Sequence, residues 1–270
     1  PDGSAEAKLL MEGGSVRLAL HSTLPAPLFK PFFPGKPLEI VIGDFTENEN
    51  PSTEIFLEGS FDVEDKYAWD YSGHGSVRNL SYKGVPVKAA NCSFRVNHKE
   101  LDFYDGSVNF DYTDYPLRKT YDGPREGVAK VGRIRYDAPS KTIGVEAVSG
   151  EIWAAPMIRF FAPKIADDLE QYRFHKPPSL TGSGVVDVTP QGRTDLTVKF
   201  STPGNADYEF LGENLTVSEP RATVIVRADK VSISDLSLGA FDGKVTGDLI
   251  HTEKSRLTGE FIWSKLSMTS

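Results

Sequence analysis

Apolar residues recur at every second position through most of this 270-residue chain, and a period of two specifies half-buried strands. The pattern runs through Val16/Leu18/Leu20, Leu38/Ile40/Ile42, Ile55/Leu57/Phe61/Val63, Val108/Phe110/Tyr112, Leu196/Val198/Phe200 and Leu257/Phe261/Trp263, with polar or charged residues between. Such strands have one dry and one wet face, which favours antiparallel pairing over the continuous apolar runs of parallel sheets. Short turn signals separate them: Glu12-Gly13-Gly14, Ser72-Gly73-His74-Gly75, Asp122-Gly123-Pro124, Pro203-Gly204-Asn205 and Phe241-Asp242-Gly243. The proline-rich stretch from Pro25 to Pro37 reads as a loop or an irregular crossover.

One segment departs from this period. Met157, Phe161, Ile165, Leu169 and Tyr172 are spaced by four, four, four and three residues, which places them on one face of a helix. Pro156 suits a first helical turn, and Pro163 inside the period predicts a kink or two short helices near residues 153–172. The stripe of Met157, Phe161, Ile165 and Leu169 is expected to dock on the sheet, covering an open end or a dry face.

Composition narrows the function classes. A net charge of −8 without a long basic run argues against nucleic-acid binding. The apolar fraction of 39% is enough for a real core. Cys92 is the single cysteine, so neither an intramolecular disulfide framework nor a zinc cluster can form. No apolar run approaches the 18 or so residues of a membrane-spanning helix. The chain begins on Pro1 and ends in strand-like residues, so it reads as an excised span of a longer β-structure, with any membrane anchor elsewhere.

Catalytic patterns are weak throughout. Asp167-Asp168 reads as the solvated face of the helix, and Glu64-Asp65 as a turn. Ser183 lies between two glycines but lacks the Gly-x-Ser-x-Gly string and a following helix, so it reads as a flexible strand entry. His21, His74, His98, His175 and His251 have no spacing that puts two imidazoles on one metal. Gly73-His74-Gly75 reads as a turn rather than a phosphate cradle. The expectation is therefore a protein without catalytic residues, metal or cofactor. The sequons at Asn79, Asn91 and Asn214 matter only in a eukaryotic secretory pathway.

The chain also repeats itself. Asn79-Leu80-Ser81 followed by Tyr104-Asp105-Gly106-Ser107-Val108 returns as Asn214-Leu215-Thr216 followed by Phe241-Asp242-Gly243-Lys244-Val245, at offsets of 135 and 137. Both copies read as strand, turn, strand and an aromatic-Asp-Gly turn, with Glu100–Phe103 and Lys230–Ile233 as corresponding strands. This divides the chain into an N-terminal β segment (1–75), a first β repeat (76–150), a helical cap (151–178) and a second β repeat (179–270), on one continuous sheet.

The order of motifs carries a resemblance. Tyr172-Arg173-Phe174, Pro177-Pro178, Gly182-Ser183-Gly184-Val185-Val186-Asp187, Tyr208-Glu209-Phe210-Leu211-Gly212 and Phe241-Asp242-Gly243-Lys244-Val245-Thr246-Gly247 follow one another after the helical segment. In this order they resemble the C-terminal region of AsmA-like proteins, of the AsmA/TamB superfamily of bridge-like lipid-transfer proteins. The match is best over residues 150–250 and extends more loosely back to about residue 75. The resemblance implies a long curved antiparallel sheet, a half-pipe or rolled groove whose concave apolar face conducts acyl chains across the envelope of Gram-negative-type bacteria. It implies a periplasmic module, anchored in the inner membrane through a segment outside this chain. Phospholipid or another acyl lipid would be the ligand, envelope proteins the possible partners, and outer-membrane lipid transport or envelope maintenance the role.

On this reading Leu18, Ile40, Leu57, Phe110, Val198, Phe200, Leu236 and Phe261 are the candidate groove residues, and the negative charge belongs to a solvated convex face. The alternative is a non-catalytic β-sandwich whose strand faces pack on each other. It would bind glycans or protein partners through loops, with Trp69, Trp153 and Trp263 as stacking platforms.

Overall fold

The computed structural model describes residues 3–25, 28, 45–65, 67–82, 84–113, 125–153, 172–187, 189, 194–210, 213–227, 230–252 and 256–264. The expected helix with Met157, Phe161, Ile165 and Leu169, and the strand with Ile40, lie outside these residues. So do most of the Pro25–Pro37 stretch and the Asp122-Gly123-Pro124 turn. Among the described residues the fold is strands and turns, with no α-helix.

The strands are β1 (Ala5–Glu12), β2 (Ser15–Ser22), β3 (Phe45–Asp62), β4 (Trp69–Tyr82), β5 (Val85–Asn97), β6 (Glu100–Asp111), β7 (Glu126–Asp137) and β8 (Thr142–Glu151). They continue as β9 (Tyr172–Phe174), β10 (Ser179–Asp187), β11 (Asp195–Ser201), β12 (Asn205–Phe210), β13 (Glu213–Arg227), β14 (Lys230–Ala240), β15 (Gly243–Thr252) and β16 (Arg256–Ser264). They form one open sheet, ordered β1 through β8, then β10, β11, β13, β14, β15 and β16, with β12 beside β13 and β9 beside β12. Pairing is antiparallel, as the alternation demands, and no second sheet forms among the described residues to make the alternative sandwich. The chain divides into two compact units, residues 1–115 with 130–143, and residues 116–129 with 144–270.

In the first unit β1 to β6 form a meander. Gly13 (φ 56°) and Gly14 (φ 85°) close the β1–β2 hairpin with two consecutive left-handed residues, the geometry that matches the twist of paired strands. The β5–β6 turn is closed by Asn97 Oδ1, which accepts the Lys99 and Glu100 N–H groups at 2.8 and 3.1 Å. Ser72-Gly73-His74-Gly75 is not a turn: it runs through the middle of β4, paired with β3 and β5. Its glycine supplies clearance instead of reversal, since a Cβ on Gly73 would stand 2.8 Å from the Phe94 ring opposite it. Tyr71 covers Gly59 in the same way.

Tyr104-Asp105-Gly106 is a second departure from expectation, because it lies inside β6. Asp105 (φ 51°) is a left-handed residue within a strand, and the β5–β6 register slips there by one residue. Asn79 in β4 (φ 54°) and Asn50 in β3 (φ 53°) are left-handed too, and Asn79 Nδ2 donates to the Asn50 carbonyl at 3.1 Å. Asn and Asp tolerate this conformation better than other residues with a Cβ. Each bulge moves the apolar period by one. In β4 the apolar positions are odd through Val77 and even from Leu80; in β6 they are odd through Phe103 and even from Val108. Cross-strand pairing keeps both sets on one face, and Leu80, Val85, Val87 and Phe110 are buried on it.

In the second unit β9–β10 and β12–β11 form one long hairpin in a single register, interrupted at His175–Pro178 and Thr202–Gly204. Pro177, Pro178 and Pro203 lack the N–H groups a continuous ladder would need. β13 runs the length of this hairpin, and its register shifts by one at Glu219 (φ 48°). Asp235 (φ 53°) makes the corresponding bulge in β14, its N–H held by Asp248 Oδ1 at 3.0 Å. Phe241-Asp242-Gly243 is the expected turn, with Phe241 (φ 50°) and Asp242 (φ 57°) both left-handed between the paired Ala240 and Gly243. Ser183 lies in the interior of β10 rather than at a strand entry.

Candidate functional site: the apolar sheet faces

Cross-strand partners share a face, so the register places each candidate residue. In the first unit Leu18 stands between Leu9 and Gly59, and Leu57 between Leu20 and Gly73. The same face continues through Val77, Ala90 and Val108 to Phe110. Leu18, Leu57 and Phe110 are therefore on one side of the sheet, but their surroundings differ. Leu18 and Leu57 are half-buried, whereas Phe110 is only 2% exposed and stacks on Tyr112 at 5.7 Å. Phe110 is a core residue of this unit, and the more open part of the face is near β1 to β3. Cys92 is on this face too, where burial pushes its thiol up to about 11.

In the second unit the rows run Leu180–Phe200–Ala222 and Gly182–Val198–Val224–Ile233–Leu249. Leu249 and Gly247 are two apart on β15, and Gly247 lies between Leu236 and Phe261. Val198, Phe200, Leu236 and Phe261 thus share one face. The first three are half-buried, while Phe261, on the edge strand β16, is 45% exposed with its ring over Gly247. Phe174 packs edge-on to Phe200 at 6.5 Å, and Tyr172 stacks on Tyr208 at 4.8 Å, which extends the apolar row along β9 and β12.

The opposite faces carry most of the polar and charged residues, with isolated apolar ones such as Leu10 and Phe56 among them. In the first unit a ladder of charges crosses four strands: Asp70 bonds Arg95 at 2.5 Å, Arg95 pairs laterally with Asp102, and Asp102 takes a forked bond from Arg133 at 2.6 and 2.9 Å. Arg135 pairs with Glu100 beside them. The Arg95 guanidinium holds the Asp70 carboxyl below its ordinary range. In the second unit the opposite face carries Thr197, Lys199, Ser232 and Thr246, with Ile225, Ile250 and Ile262 between them and an exposed Arg227–Asp195 pair at 3.4 Å. Asp207 accepts from His175 at 2.8 Å and Thr216 at 2.7 Å. Burial pushes its carboxyl up, but these bonds outweigh that and hold it below the ordinary value.

Sequence reasoning missed the charge ladder, the glycine–aromatic pairs and the mid-strand bulges. Three of the four bulges, at Asn79, Asp105 and Asp235, had a readable signal, an Asn or Asp at the point where the apolar period changes parity, whereas Glu219 in β13 did not. The three tryptophans stand in different surroundings. Trp153 is 2% exposed, Trp69 lies opposite Phe61 on the apolar face beside Tyr71, and Trp263 is an exposed residue of β16. Chemically, the two apolar faces offer dispersion and water exclusion, and the Cys92 thiol on the first is kept protonated by burial. No protein-family model matches the chain, and no characterised protein or solved structure is significantly similar to it.

Proposed function

We propose that this chain is a non-enzymatic module that holds or conducts lipid acyl chains along an apolar sheet face, as its resemblance to the AsmA-like C-terminal region implies. In this reading it is a periplasmic part of a longer, inner-membrane-anchored protein that supports outer-membrane lipid transport or envelope maintenance. On this reading the sheet would curve into a half-pipe, and the bulges at Asn79, Asp105, Glu219 and Asp235 supply positions at which its strands can bend.

The carrying observation is that the apolar period passes these bulges without changing face, so each unit keeps one continuous apolar side, opposite a side on which polar residues alternate with isolated apolar ones such as Phe56 and Ile262. An acyl chain on such a face gains about 0.8 kcal/mol per methylene removed from water, so it needs no specific chemistry to be held. Lipid extraction and native mass spectrometry of the purified protein test the reading. Lipid is expected with the wild type, and Leu18→Glu and Phe261→Glu are expected to reduce it, while Thr197→Glu on the polar face leaves it unchanged. A wild-type protein that carries no lipid and takes none up from phospholipid vesicles would overturn it.

A further inference from the structure

The polar face of the first unit ends in a cup that the lipid reading does not use. Its floor is three cross-strand pairs in two rows: Ser15 opposite Asp62, and Ser60 opposite Asp70, which in turn faces Asn97. Its wall is an aromatic pair, Tyr67 against His98 at 5.6 Å. The cup is shallow and open to solvent, with a volume of about 500 Å³.

Local bonds fix both walls before any ligand arrives. Asp62 Oδ1 accepts the Glu64 and Asp65 N–H groups at 2.8 and 3.1 Å, and Asp65 Oδ1 accepts the Tyr67 N–H at 2.9 Å. The Asp62 N–H donates to the Ala68 carbonyl at 2.9 Å, and Asn97 Oδ1 closes the opposite turn. These bonds use one oxygen of Asp62 and the oxygen of Asn97, so the turns do not consume Asp62 Oδ2 or the Asn97 amide donors.

We propose that this cup binds a neutral saccharide unit. Vicinal hydroxyls present alternating donors and acceptors, which match the hydroxyls of Ser15 and Ser60, the Asp62 carboxylate and the Asn97 amide. The C–H face of a sugar ring suits the exposed Tyr67 ring, which is 56% accessible. Charge favours a neutral ligand over an ion: Asp70 is neutralised by Arg95 at 2.5 Å, and Asp62 and Lys99 are of opposite sign. Preformed walls lower the ordering cost of binding. The inference does not rest on lipid binding, because the polar groups it uses, Ser15, Ser60, Asp62 and Asn97, lie on the opposite face, although Phe61 and Trp69 of the apolar side also line the cup.

The test is a titration of the isotope-labelled protein with maltose and with N-acetylglucosamine, followed by amide chemical shifts. Saturable shifts confined to Tyr67, Ala68 and Asn97–Lys99 are expected with at least one of the two. Tyr67→Ala should weaken that binding about tenfold, the equivalent of losing one ring contact. Asn97→Asp keeps the oxygen that closes the turn, replaces the amide donors with an acceptor and adds a negative charge beside Asp70, so it should weaken binding while the fold, followed by the thermal melt, is retained. No saturable shift with either sugar overturns the proposal, as does binding that both variants leave unchanged.

Discussion

Both units carry their apolar period through a left-handed residue in mid-strand, Asp105 in β6 and Asp235 in β14, but they fasten the bulge differently. In the second unit a side chain does it, with Asp248 Oδ1 taking the Asp235 N–H. In the first unit packing does it: Gly106 follows Asp105, and a Cβ there would meet the Asn91 carbonyl at 3.1 Å, Cys92 Cβ at 3.2 Å and Val131 Cβ at 3.5 Å. The opposite faces diverge in the same sense. The first unit builds a ladder around Asp102, whose side chain is 7% exposed, whereas the Asp195–Arg227 pair of the second is 65% and 69% exposed. A bulge therefore needs a residue that tolerates the left-handed region, and the surrounding strands decide what holds it.

The largest expected effect comes from breaking the packed version. Gly106→Val forces a branched side chain into three neighbours and should cost about 2–3 kcal/mol, measured by denaturant unfolding. A cost below about 0.5 kcal/mol would mean that β6 is not fastened by packing at this point. Next is the ladder. Asp102→Asn removes the charge that the Arg133 fork pairs with in a largely buried position, and should cost about 2 kcal/mol, while Asp195→Asn should cost less than about 0.5 kcal/mol. Equal costs would erase the distinction between the two polar faces.

A smaller gain is expected at the β14–β15 turn. Phe241 adopts φ 50°, which Asn tolerates better, so Phe241→Asn should raise stability by up to about 1 kcal/mol in the same unfolding experiment. Asp105→Asn should be close to neutral, because both residues tolerate the conformation. The smallest effect is in acid. Asp70 and Asp207 both have folded values below the ordinary 3.8, so each contributes stability that is complete above that value and is lost as pH falls through the folded one. Thermal melts between pH 5 and pH 2 should therefore fall less steeply in Asp70→Asn and Asp207→Asn than in the wild type.

Much of the fold was legible because a period of two has one structural meaning. The groups around Leu18, Leu57, Phe110, Val198 and Phe261 are all in strands, and the hairpins at Gly13-Gly14 and Phe241-Asp242 are where the turn residues put them. Local composition misled where one string serves two purposes. Tyr104-Asp105-Gly106 and Phe241-Asp242-Gly243 read alike, yet one left-handed residue continues a strand and two consecutive ones reverse it. Gly73 read as a turn because the cross-strand Phe94 that requires its missing Cβ is 21 residues away in sequence.

The site was legible to a similar depth. Alternation assigned the candidate residues to dry faces, and the registers gather Leu18, Leu57 and Phe110 on one face and Val198, Phe200, Leu236 and Phe261 on another. Alternation did not distinguish Phe110, packed on Tyr112, from Phe261, exposed on β16, because burial depends on which strands are neighbours and where the sheet ends.

By itself the sequence determined that the chain forms antiparallel strands with one apolar side, since a two-residue repeat of apolar side chains cannot be buried any other way. The tertiary structure decided the registers, the bulges that keep the apolar side continuous, and the ladder from Asp70 to Arg133. It also decided the cup between Ser15 and Asn97. Each of these depends on residues brought together from distant strands, and a local period carries no information about which strand lies beside which.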